Sequence, residues 1–170
     1  MEMIKDKIIY KGWLTLKERL LNKRRYEILV KKDAVAALAE DKEERILLVK
    51  QFRPALLRET WEIPAGVMDK AGLDEKAIVI EELSEEANLE VAENQLDFLI
   101  SFMPEMGISN SKIHLYYTKI NYTGTDKTIT DDLDVTAIKW FSHKDLEEEI
   151  AQGNLLDIKT LLAYYYIKNK

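Results

Sequence analysis

Apolar and polar positions alternate with a period of two along much of the chain, which predicts half-buried strands. "KIIYKGWLTLKERLL" (residues 7–21) and "KRRYEILVKK" (residues 23–32) read as strands meeting in a hairpin near Asn22. "DAVAALAED" and "RILLVKQF" are short apolar runs separated by charges, a pattern that suits a hairpin of buried strands. "RETWEIPAGVMDKAG" (residues 58–72) reads as strand and then loop, because Pro64, Gly66 and Gly72 disfavour regular structure. Asp74 is placed to cap a helix running to about Asn88. Further strands are expected over "QLDFLISFM", "KIHLYYTKI" and "VTAIKWFS". "HKDLEEEIAQG", stopped by Gly153, and "DIKTLLAYYYIKNK" read as closing helices. Strands with one helix mid-chain and helices at the end predict a mixed α/β (α+β) domain, single over residues 1–170.

Composition narrows the function classes. The 170 residues are 46% hydrophobic and 33% charged, typical of a soluble globular protein. A net charge of −6 argues against general binding to nucleic acid or an anionic membrane. The basic stretch from Lys17 to Lys32 holds one aromatic residue, Tyr26, and reads as the solvated face of a hairpin. With no cysteine, the chain has no disulfides, thiolate metal sites or cysteine nucleophiles. Nothing at the N-terminus resembles a signal peptide, and no apolar run approaches about 18 residues; a cytoplasmic location is the expectation.

The helix from Lys76 onward, "KAIVIEELSEEANLEV", carries five glutamates and one lysine. Like charges three or four residues apart cost a few tenths of a kcal/mol per pair. With Ile80 as reference, Leu83 and Ala87 fall within about 60° of it, and Glu82, Glu85 and Glu86 fall on the far side. Carboxylates at i, i+3 and i+4 suit one hard cation such as Mg²⁺ or Mn²⁺. A solvated acidic face is the competing reading.

"WEIPAG" followed at helix distance by "EELSEEANL" resembles the Nudix box, with Gly66 at its first glycine and Glu82, Leu83, Glu85, Glu86 and Leu89 in its second half. "ILLVKQFRPALLRETWEIPAG" and "SFMPEMGISNSKIHLYYT" are similar to the ADP-ribose pyrophosphatase branch of that family, and the likeness spans roughly residues 24 to 165. The resemblance implies a Nudix fold, a mixed β-sheet sandwiched between helices, preceded by an N-terminal antiparallel strand region. It also implies Mg²⁺-dependent hydrolysis of a nucleoside diphosphate linked to another group, ADP-ribose giving AMP and ribose 5-phosphate. Glu82, Glu85, Glu86 and the Ala65 carbonyl are the implied metal ligands, with Mn²⁺ as an alternative ion. Arg53 and Glu62 are implied substrate contacts. Residues 1–32 are expected to help build a homodimer, with Trp13 or Tyr26 against the base.

Three positions depart from the box: Leu73 stands where its first Glu is expected, Glu81 replaces its Arg, and Asn88 its Gly. Asn tolerates a left-handed helix terminus, so the turn is expected to survive. For the lost pair, either Leu73 packs or Glu75 substitutes by a register shift. Glu81 is either an extra ligand or solvent-facing. The general base is sought among Asp131, Asp132 (preferred) and Asp134, with Glu105 as second option. His114 and His143 read as structural. Competing functions are hydrolysis of another sugar nucleotide such as GDP-mannose, of a dinucleoside polyphosphate, or nucleotide binding with little turnover.

Overall fold

The computed structural model describes residues 4–127 and 134–169. Three strands, β1 (Lys5–Lys11), β2 (Thr15–Leu21) and β3 (Arg24–Val30), form a separate antiparallel sheet. The run over residues 7–21 is thus two strands, broken at Gly12 to Leu14, where one strand was expected. The β2–β3 turn falls at Asn22 and Lys23, both at positive φ (52° and 64°), as a two-residue hairpin requires.

The main sheet runs β10 (Val135–Phe141), β5 (Ile46–Arg53), β4 (Ala34–Glu40), β9 (Ile113–Lys119), β8 (Asp97–Phe102). Short β6 (Arg58–Glu62) pairs with β5, and β7 (Ala65–Val67) with β4. The latter lies where Pro64, Gly66 and Gly72 predicted loop. All pairings of the main sheet are antiparallel except β4 with β9.

Both faces of this sheet are covered, which explains why β4 and β5 read as nearly unbroken apolar runs. Val35, Ala37, Leu47 and Val49 meet Val79, Leu83 and Ala87 of α1 (Glu75–Ala87). Ala36, Leu38, Ile46 and Leu48 meet Leu146 of α2 (His143–Ala151) and Ala163 and Tyr164 of α3 (Ile158–Lys168). No helix among the described residues is long and apolar enough to cross a membrane.

α1 begins and ends where its caps dictate. Asp74 accepts from Ala77 N at 2.9 Å, and Asn88 takes the left-handed conformation (φ 52°, ψ 37°). The loop before β9 ties the small sheet to the main one: Leu29 N donates to Ile108 O at 2.8 Å, and Lys31 Nζ to Glu105 at 2.6 Å.

Candidate active site

Gln51 and Arg53, two apart on β5, project to the same side of the strand. The β5–β6 register, Val49 opposite Glu62 and Gln51 opposite Thr60, brings Thr60 and Glu62 beside them. Arg53 grips Glu62 through Nε (2.7 Å) and Nη2 (2.5 Å), while Thr60 Oγ1 donates to the same carboxylate at 2.5 Å. Lys159, in the first turn of α3, donates to Glu62 Oε2 at 2.6 Å. Burial alone would raise the Glu62 pKa, but Arg53 and Lys159 hold it down at about 2.

Beyond β6 the chain turns under α1. Ala65 N donates to Glu86 Oε2 at 2.9 Å, and Gln51 Nε2 to Glu86 Oε1 at 2.5 Å. Glu86 is only 3% exposed. It therefore lies on the packing face of α1 and not on an opposite acidic face. The buried side of the helix, with Val79, Leu83, Glu86 and Ala87, is rotated from the arc centred on Ile80 that apolar spacing suggested. A buried carboxylate is tolerated there because two N–H donors satisfy it.

Glu82 lies directly over Gly66. A Cβ at position 66 would come 1.9 Å from Glu82 Oε1, so only glycine admits this approach. Glu85 is exposed, 3.8 Å from Lys70 Nζ. Lys70 stands 2.8 Å from Glu81, whose partly exposed carboxylate is thus ion-paired to the loop. Leu73 is 40% exposed. Glu75 accepts from Tyr116 Oη at 2.6 Å and lies 3.4 Å from His114 Nδ1, so it is engaged with β9.

Among the described residues, no three His, Asp or Glu side chains converge as a ready-made cation cage. The donor chemistry nevertheless fits a hard cation: Glu82 and Glu86 meet the Ala65–Gly66 backbone from one helix, with Glu85 at the same turn. A carboxylate offers about four lone-pair directions, so two N–H bonds leave Glu86 capacity to bind further.

Other expected site residues are spread more widely. Trp13 is 87% exposed and lines a cleft of about 390 Å³ with Leu14, Val30, Lys32 and Asp69, between the small sheet and the loop after β7. Tyr26, on β3, is exposed, with the Arg24 guanidinium 5.9 Å from its ring centroid. Glu105 is ion-paired to Lys31. Asp131 and Asp132 lie outside the described residues. His114 bonds to Ser101 (2.8 Å), and the His143 ring centroid lies 5.5 Å from that of Tyr164.

Gln51, Lys70 and Lys159 were not singled out from the sequence. Gln51 had a signal, its two-residue spacing from Arg53. Lys159 had none, since its partner lies 97 residues away.

The model of the NUDIX domain matches residues 30–161. A methanol dehydrogenase activator of Bacillus methanolicus is 30% identical over 142 residues, 84% of this chain and 75% of that protein. An ADP-ribose pyrophosphatase of Bacillus subtilis is 28% identical over 144 residues (85% and 76%), and one of Mycobacterium tuberculosis 27% over 125 residues (73% and 59%). A solved ADP compounds hydrolase shares the fold, with a TM-score of 0.75 at 12% identity over 98% of this chain and 92% of that one. With its glycine-bounded turn, its glutamate helix and this family match over most of its length, the chain belongs to the Nudix family.

Proposed function

We propose that the protein is a Mg²⁺-dependent pyrophosphohydrolase that cleaves ADP-ribose to AMP and ribose 5-phosphate, with residues 1–170 acting as one cytoplasmic domain. The observation that carries this reading is the juxtaposition of Glu86, bonded by Ala65 N and by Gln51 of β5, with the half-exposed Arg53 guanidinium two residues along that strand. Two ADP-ribose pyrophosphatases among the relatives support the substrate.

Glu82, Glu85, Glu86 and the Ala65 carbonyl would hold Mg²⁺, with Mn²⁺ the alternative. When bound, the ion supplies charge neutralisation of the pyrophosphate and acidifies water. Gln51 and Ala65 N fix the Glu86 side chain, so its oxygens need little reorganisation. Arg53 offers a planar donor set to a phosphate, oriented by Glu62. Asp132 is the proposed general base, with Glu105 second. Exposed Ile8 and Tyr10 on the small sheet, with Trp13 in the turn between β1 and β2, support a homodimer formed through residues 1–32, with Trp13 or Tyr26 facing the base.

The test is AMP release from ADP-ribose with Mg²⁺ and with Mn²⁺, for wild type and Glu86→Gln. GDP-mannose and a diadenosine polyphosphate run in parallel. Turnover lost in Glu86→Gln is the expected result. A preference for another substrate would replace ADP-ribose, and a folded protein inactive on all of them would favour nucleotide binding without turnover.

A further inference from the structure

The Glu62 carboxylate is 6% exposed and the Lys159 side chain 9%, yet the Arg53 side chain that shares Glu62 is 44% exposed. One buried anion thus has two cations, one sealed inside and one at the surface of the candidate site. We propose that Lys159 is a positioning residue that keeps Glu62 paired from within, so that Arg53 can turn its guanidinium to the diphosphate of the substrate. This rests on the assignment of Arg53 as a phosphate contact.

Leaving a buried carboxylate without a cation is strongly unfavourable, so an Arg53–Glu62 pair standing alone would hold Arg53 back from any ligand. Lys159 removes that obstacle. It is itself fixed: Asp157, the N-cap of α3, lies 3.0 Å from its Nζ and accepts from Thr160 N. Thr160 Oγ1 in turn accepts from Ile63 N at 2.9 Å, keying the start of α3 to the residue after Glu62. Arg53 uses Nε and Nη2 on Glu62, so Nη1 lies outside that fork.

The experiment is calorimetric binding of ADP-ribose and of inorganic pyrophosphate in EDTA, where no turnover occurs, with KM and kcat measured separately in Mg²⁺. The proteins are wild type, Arg53→Ala, Lys159→Met, Lys159→Arg, Glu62→Gln and the Glu62→Gln/Lys159→Met double variant. Lys159→Met is expected to weaken binding about tenfold and raise KM alike with kcat little changed, and Lys159→Arg to restore both. In the Glu62→Gln background, where no buried anion needs pairing, Lys159→Met is expected to change binding less than about threefold. That comparison stands even if Lys159→Met alone proves unstable. Full additivity of the two changes, or no effect of Lys159→Met, overturns the inference while Arg53→Ala still weakens binding. If Arg53→Ala has no effect, or neither ligand binds the wild type, the phosphate assignment fails and the inference with it.

Discussion

Lys70 Nζ stands 2.8 Å from Glu81 Oε2, joining the loop ahead of α1 to the helix with the cation on the loop and the anion on the helix. The box position that carries Arg in the family consensus is thus not left without a partner. The paired Glu81 carboxylate lifts the Lys70 pKa, keeping the ammonium charged at neutral pH. Because both side chains are well exposed, the pair contributes no more than about 1 kcal/mol to stability.

Its larger effect is expected on the loop. Lys70→Glu places a third like charge beside Glu81 and Glu85 and should lower kcat/KM, as should Glu81→Lys. The Lys70→Glu/Glu81→Lys double variant should recover most of the loss. Steady-state kinetics of the three variants tests this; a double variant as poor as the product of the singles would show that the pair does not act as a brace.

Gly66→Ala would drive a methyl group into Glu82. The expected cost is about 1–3 kcal/mol of stability, with turnover falling more steeply than stability because Glu82 must move. Urea denaturation alongside activity measures both, and an unaltered enzyme would mean that Glu82 relaxes freely.

Acid should destabilise the fold through Glu62. Its pKa is depressed from 4.5 to about 2 in the folded state, so its contribution is complete above pH 4.5 and is lost as pH falls from there toward 2. The shift corresponds to on the order of 3 kcal/mol. Denaturation at pH 6, 4 and 3 should show wild type losing part of this increment, about 2 kcal/mol by pH 3, relative to Glu62→Gln. Parallel curves for the two proteins would contradict it.

Asn88 closes α1 in the left-handed region at φ 52°. Asn88→Gly should be neutral or slightly stabilising, and Asn88→Ala should cost about 1 kcal/mol, because a β-carbon is disfavoured there without a compensating amide. Thermal melts of both variants distinguish this from a position indifferent to its residue.

Local periodicity and capping chemistry determined much of this protein. Apolar runs marked β4 and β5 and alternation marked β9, Asp74 and Asn88 bounded α1, and Gly66 with Glu82, Glu85 and Glu86 pointed to the family. These features depend on residues near one another in the chain, where backbone sterics and the helical or strand repeat act directly. What the tertiary structure decided involves distant partners. Glu86 faces inward because Gln51 and Ala65 N, 35 and 21 residues away, meet it. Lys159 reaches Glu62 across 97 residues. Even the break at Gly12 follows from pairing, since β1 and β2 must fold back on each other. Helical periodicity set Glu86 among solvated charges; hydrogen bonds from another strand and loop made it a buried one.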